Sequence, residues 1–376
     1  MINPQQLTEW LRDAEQGAAY AQFNLGNIYY EGNGVKQDNI EAIKWWEMAA
    51  EQGHELAQYR LDSINKEDNV IEVDWDFIFG MQKYTADVYN DAKAQNNIGA
   101  IYAHGEDIQQ DYAEALKWYR RAAEQDYAEA QFNLGVMYGH GHGVQQNYVE
   151  AIKWYRLAAE QGYAQAQFNL GVIYEHRDSV RQNYAEASKW YRLAAEQGFA
   201  EAQLNLGVMY EHGHGVQQNY VEASKWYRLA AEQGFAEAQL NLGAMYANGK
   251  GIRQDYSAAI RWWQMAAEQG NAKAQGNLGI MYKNGHGVKI DHAEALKWYQ
   301  RAAEQGDTQM MLNISTMYYK GDGIKQNYAE AAKWCRLAAD QGFADAQSNL
   351  GLMYNNGEGV EQDLSLIHIS EPTRPY

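Results

Sequence analysis

The amino-acid sequence predicts an all-α protein, an α/α superhelical solenoid of 36-residue helix–loop–helix repeats. Three observations carry this reading. An Asn-Leu-Gly-like triplet begins at Asn97, Asn133, Asn169, Asn205, Asn241, Asn277, Asn313 and Asn349, in steps of 36 without slippage. The composition suits helices, with only 3 Pro and abundant Ala, Glu, Gln and Leu. At 376 residues the chain exceeds the usual single-domain size, which an open repeat array accommodates.

Each element follows from local chemistry. Residues 1–17 are polar and form an N-terminal capping segment. The array then spans residues 18–363 in about ten units, the second degenerate at 56–92 and the tenth incomplete. The clearest unit runs from Ala128 to Gly162. Ala130, Leu134 and Tyr138 are four apart and share one face of a first helix, and Gly135 beside them lets another helix approach. Gly141 and Gly143 give the inter-helix loop its backbone freedom. Asn147 is an N-cap, with Glu150 three residues on as in a capping box, and Asp111/Glu114, Asn183/Glu186, Asn219/Glu222 and Asn327/Glu330 repeat the pair. In the second helix Ala151, Trp154, Tyr155 and Ala158 form an apolar stripe opposite Glu150, Lys153, Arg156 and Glu160. Gly162 ends it, in a left-handed conformation. Helices of three to four turns are marginal alone, so each unit must stack on the next.

Composition also narrows function. The formal net charge is −18, which disfavours nucleic acid and anionic membranes and favours basic partners. The single cysteine, Cys335, excludes an intrachain disulfide framework and a cysteine-rich zinc site. No apolar leader or membrane-length run occurs, so a cytoplasmic protein is expected.

Leu-Gly-x-x-Tyr in the first helix, then Ala, an aromatic and Ala in the second, resembles the tetratricopeptide pattern. The 36-residue period, the Gly-x-Gly-Val loop (Gly141/Gly143, Gly213/Gly215, Gly249/Gly251, Gly285/Gly287) and a closing Glu-Gln-Gly instead of proline resemble its relative, the Sel-one-like repeat family. The resemblance implies a superhelical adaptor or scaffold for protein complexes; from the residues themselves, no cofactor and no catalytic residues are expected. The cysteine-rich secreted branch of that family does not fit a chain with one cysteine.

In tetratricopeptide-like solenoids the first helices line the concave surface. Carried to this chain, the partner-binding positions are Phe132, Val136, His140, Phe168, Val172, Glu175, His176, Leu204, Val208, Glu211, His212 and Leu240. An extended peptide or amphipathic helix could anchor along their apolar rows. Alternatively, these rows only pack adjacent units. The partner is expected to be a protein or peptide, possibly basic, and the chain a monomer. A bacterial regulatory or immunity-type protein neutralising a basic partner is an alternative reading, and a hydrolase a remote one.

Other motifs carry blander readings. The row His104, His140, His176 and His212 is too widely spaced for one metal ion and reads as solvated histidines. The Asn133/Asn169/Asn205 row suits inter-helix hydrogen bonds better than a peptide clamp. Cys335 stands where Tyr is usual and reads as a buried core thiol. Residues 70–80, acidic and aromatic, are either a specialised contact or a drifted repeat. Residues 364–376 resemble the translation of a sequencing-library transposon adapter and are expected to be foreign, the frame being cut inside the tenth unit.

Overall fold

A first helix and a second helix of 13 residues lie side by side in the regular repeats, as in Ala200–His212 with Tyr220–Glu232 and Ala236–Asn248 with Tyr256–Glu268. A computed structural model describes residues 4–64, 79, 83, 85–88, 90–105, 108–176 and 182–362, and every regular element among them is a helix. The all-α repeat solenoid is therefore as expected. Most of residues 70–80 and all of 364–376, read above as an atypical repeat and a foreign tail, lie outside the described residues. The chain forms two compact bodies, residues 1–133 with 142–145, and residues 134–141 with 146–376.

In the first body, Pro4–Glu15 packs on Ala19–Glu31 through Ala14, Ala21, Leu25 and Ile28. Gln22 donates to the Ala14 carbonyl, and Gly17 turns the chain at φ +90°. Residues 4–17 thus have the geometry of a second helix and its stop, which a polar segment without the repeat signature had not disclosed.

In most of the described repeats the two helices pack a ring against a glycine. A Cβ on Gly207 would fall 2.6 Å from the Tyr227 ring, and one on Gly243 would fall 2.6 Å from Trp263. Gly99 and Tyr119 repeat this in the first body. In the ninth repeat the glycine is Ser315 and the aromatic is Cys335, so the larger residue faces the smaller ring substitute. Ser315 satisfies its hydroxyl on the Ala331 carbonyl at 2.8 Å, and Cys335 is fully buried. The buried-thiol reading therefore holds, with burial pushing its pKa up.

The loops are shaped by backbone demands. Gly213 closes a first helix in the left-handed region (φ +76°), its N–H donating to Met209. Two residues on, Gly215 (φ +68°) lies where a Cβ would overlap the Tyr184 carbonyl of the preceding second helix. Gln218 then donates to the Glu211 carbonyl at 2.8 Å, satisfying an orphan group at the helix end. Asn219 caps the second helix, its side chain accepting from Val221 and Glu222.

The reciprocal half of the capping box does not form. The Asn147 N–H donates instead to Tyr138 of the first helix at 2.8 Å, and Asn219 does the same to Tyr210 at 2.9 Å. Glu150 is thereby released to pair with Lys153, as Glu186 pairs with Lys189 and Glu222 with Lys225.

A ladder of buried glutamines joins successive repeats. Gln203 donates to the Ala195 carbonyl at the end of the preceding second helix (3.0 Å) and accepts from Gln233 of its own repeat (2.8 Å). Gln167 with Gln197, Gln239 with Gln269 and Gln275 with Gln305 repeat the bridge.

Two stability predictions follow from these contacts. Gly207→Ser should cost about 1–3 kcal/mol by overpacking against Tyr227, and adding Tyr227→Cys should recover part of that loss. A double-mutant cycle from urea unfolding measures the coupling. Gln203→Ala should cost about 1–3 kcal/mol by removing two buried hydrogen bonds, leaving the Ala195 carbonyl to the Gly198 N–H and the Gln233 amide with a long contact to Leu229, with faster amide exchange in Ala200–His212. Cys335 should resist a thiol reagent in the native state and react fully in denaturant.

Candidate functional site

The first helices bring most of the sequence-predicted positions to one kind of surface. In the second body, Phe168, Val172, Leu204 and Val208 are each half-buried. Phe168 and Val172 pack against a core containing Tyr191, Ala202 and Leu206, and Leu204 and Val208 do the same around Tyr227 and Leu242. The Phe168 ring lies 5.7 Å from Tyr191 and 5.1 Å from Phe199. Part of each side chain thus holds repeats together and part faces outward. Val136 is half-buried in the same way, and Phe132, in the first body, is also half-buried.

Leu240 departs from its row. It is 6 % exposed and packs with Trp263 and Leu278, leaving almost no side-chain surface. Trp263 explains this, because its indole spans to the Leu240 carbonyl at 3.0 Å where the three preceding repeats carry tyrosine, and Trp46 reaches the carbonyl of the likewise buried Phe23 in the same way. His140, His176 and His212 are exposed at the helix ends, but His176 Nε2 lies 3.2 Å from the Glu175 carboxylate and the His212 ring stacks on His214 with centroids 5.6 Å apart. The loop histidines are not simply solvated. His142, His214 and His286 stack on Tyr112, Tyr184 and Tyr256 with centroids 4.8, 5.1 and 5.1 Å apart. Lys250 takes the same place over Tyr220 at 5.4 Å.

Glu175 and Glu211 are held rather than free. The Tyr191 and Tyr227 hydroxyls donate to them, each at 2.7 Å. Asn205 and Asn241 of the following first helices bond the same hydroxyls. The asparagine row therefore makes inter-helix hydrogen bonds, and Asn133 likewise donates to Asn96 at 3.0 Å in the first body. Burial, reinforced by the neighbouring carboxylate, raises both tyrosine pKa values far above 10, so the hydroxyls remain donors.

No nucleophile–base arrangement emerges from these groups. The strongly shifted tyrosines owe their shifts first to burial in the packing, as does Tyr299, pushed up to about 12. Among the described residues, no group of three or more His, Cys, Asp or Glu could hold a metal ion. Among them also, no helix is long and apolar enough to cross a membrane.

Sequence comparison matches the Sel1 repeat to residues 19–54 and 92–127, then continuously in 36-residue copies from 128 to 343, and to 344–366. The chain belongs to the Sel1 repeat family. Among solved structures, it is similar to c5321, a protective antigen present in uropathogenic Escherichia coli strains that displays an SLR fold. The identity is 33%, the TM-score 0.70, and the match covers 97% of this chain and 85% of that one. A Sel1 repeat protein from Oxalobacter formigenes is 37% identical over 60% of this chain and 92% of its own, with a TM-score of 0.51. An immunity protein from Pseudomonas aeruginosa matches at 20% identity and a TM-score of 0.33, too distant to bear on function. A search of curated proteins gave no match.

Within the Sel1 repeats, the signals for this surface were the half-polar first helices and their in-register rows. The tyrosine–glutamate–asparagine bridges were missed because their members come from three helices, at sequence separations of 16 and 14 residues in Glu175, Tyr191 and Asn205. If these bridges order the surface, Tyr227→Phe should leave the fold intact and free the Glu211 side chain. Side-chain relaxation measured by NMR should show its mobility increasing relative to Glu175.

Proposed function

We propose that this Sel1 repeat protein is a non-catalytic scaffold that binds a segment of a partner protein along its first helices. The observation that supports the reading is the outward half of the rows Phe168/Val172 and Leu204/Val208, repeated in register on consecutive repeats. Apolar anchors at a fixed spacing suit an extended or helical peptide, and a family fold that presents protein-binding surfaces fits the same role. Catalysis plays no part in this reading, because the perturbed tyrosines are accounted for by packing.

The test compares affinity capture by the wild-type chain with two double variants. Phe168→Ala/Leu204→Ala alters the first-helix surface, and Leu193→Ala/Leu229→Ala alters exposed second-helix positions. Quantitative mass spectrometry should show partners lost by the first pair and retained by the second, with thermal melts confirming that both fold. Retention of every partner by the first pair overturns the proposal.

A further inference from the structure

Two repeats of this chain form a natural comparison. Residues 129–162 and 201–234 differ only at Phe132/Leu204, Gly139/Glu211 and Ile152/Ser224. The second helices Tyr148–Glu160 and Tyr220–Glu232 superpose in their chemistry, with the same asparagine cap, the same Glu–Lys pair and the same buried tyrosine. A glutamate at position 211 is therefore unnecessary for building the repeat, since glycine serves at 139. Its carboxylate is nonetheless fixed, by the Tyr227 hydroxyl at 2.7 Å with Asn241 on that hydroxyl. Glu175 is fixed in the same way one repeat earlier, with its side chain only 12% exposed.

A neutral hydroxyl orders a carboxylate but does not neutralise it. Holding such a charge partly out of water is unfavourable until a cation arrives. The first helices Ala164–His176, Ala200–His212 and Ala236–Asn248 contain no Lys or Arg, and the partner they give Glu175 is His176, whose Nε2 lies 3.2 Å from the carboxylate and carries a charge only when protonated. The cations of these repeats stand on the second helices, where Lys189 and Lys225 pair with Glu186 and Glu222 and Arg228 bonds Tyr246. Among the described residues, no Lys or Arg pairs with Glu211. Beside the two carboxylates lie the half-exposed Val172, Leu204 and Val208.

We infer that Glu175 and Glu211 are paired cation-recognising subsites, and that the occupant of this surface is a partner segment with Lys or Arg side chains alternating with aliphatic ones. This rests on the first-helix scaffold reading and names the partner's chemistry. Adjacent helices pack about 8–10 Å apart, so in an extended segment rising about 3.3 Å per residue two cations two to four residues apart would reach both carboxylates. Gly139 marks where a third subsite could be built. A Cβ there meets only Ala151 and the Tyr155 hydroxyl, both at an ordinary 3.8 Å.

The experiment uses the full chain and three fluorescein-labelled nine-residue peptides, alternating leucine with lysine, serine or glutamate. Fluorescence anisotropy at physiological salt should show the lysine peptide bound at least tenfold more tightly than the other two. Glu175→Gln/Glu211→Gln should weaken that binding about tenfold, whereas Glu196→Gln/Glu232→Gln, an equal charge change on exposed second-helix positions, should change it less than twofold. Gly139→Glu should tighten it about threefold. Equal effects of the two glutamine pairs would mean general acidity and overturn the inference, as would failure of the lysine peptide to bind. If the serine peptide binds as tightly as the lysine peptide and Phe168→Ala/Leu204→Ala abolishes both, the first-helix surface stands and the cation subsites fall. If partner capture is also indifferent to Phe168→Ala/Leu204→Ala, both readings fall.

Discussion

The structure depends on a side chain that is missing. In repeat after repeat a first-helix glycine lets the flat face of a second-helix aromatic come within van der Waals contact of the helix backbone, as Tyr227 does over Gly207. That approach sets how closely the two helices of a repeat lie, and so where the alanines on either side of the ring can pack. Ala223, Ala230 and Ala231 are fully buried around Tyr227. No larger residue would fit at those positions without pushing the helices apart. The ninth repeat tests the constraint from inside the sequence, since Ser315 is accompanied by Cys335 in place of a ring. Volume added on one helix is removed from the other.

Contact between neighbouring repeats is of a different kind. It combines the half-buried apolar rows with polar groups that must be satisfied because they are shut away from water. The glutamine ladder answers this need near the carbonyl ends of second helices, at Ala159, Ala195, Ala231 and Ala267. One amide takes the preceding repeat's last carbonyl, and its own oxygen is taken by the glutamine closing the same repeat. When the buried glutamine becomes Met311, its partner Gln341 is left with a thioether at 3.7 Å, a much weaker acceptor. Ring-on-glycine packing thus makes the repeat, while the ladder fixes how one repeat meets the next.

Much of this was legible in the sequence because it is local. The helix ends at Gly213 and Gly162, the cap at Asn147 and the close approach at Gly135 each follow from a few neighbouring residues and a fixed spacing. The misreadings arise where a local motif competes with a distant partner. Glu150 had the spacing of a capping box, but the N–H it would have accepted was already committed to Tyr138 of the other helix. Glu-Gln-Gly looked like a polar stop signal, whereas its glutamine reaches back across 30 residues to a buried amide. His214 lies in an inter-helix loop and stacks on a tyrosine 30 positions earlier, a contact that no local spacing shows. Leu240 followed its row by pattern and was buried by the tryptophan that its own repeat carries in place of the tyrosine of the three preceding repeats. Periodicity discloses which positions are equivalent, but not what each meets in three dimensions.

Equivalence has a second use, which bears on the candidate surface. In a repeat protein each position is sampled several times in almost the same surroundings, so a residue needed for packing should recur, and one free to vary is released from that duty. The row Gly139, Glu175, Glu211 and Ala247 varies from no side chain to a carboxylate while the aromatic beneath it stays buried in all four. Within these four repeats Phe132, Phe168, Leu204 and Leu240 vary only in apolar shape, whereas the same position is Asn96, Gly276 and Ser348 elsewhere in the array. Across these four, chemical identity is therefore decoupled from folding at the carboxylate row and only loosened at the apolar row. Specificity for a partner would have to be written mainly in the former, with the latter supplying contact area that is common to the repeats. A carboxylate gripped by Tyr227 and backed by Asn241 is ordered at little further entropic cost on binding, which makes that row the better place to discriminate.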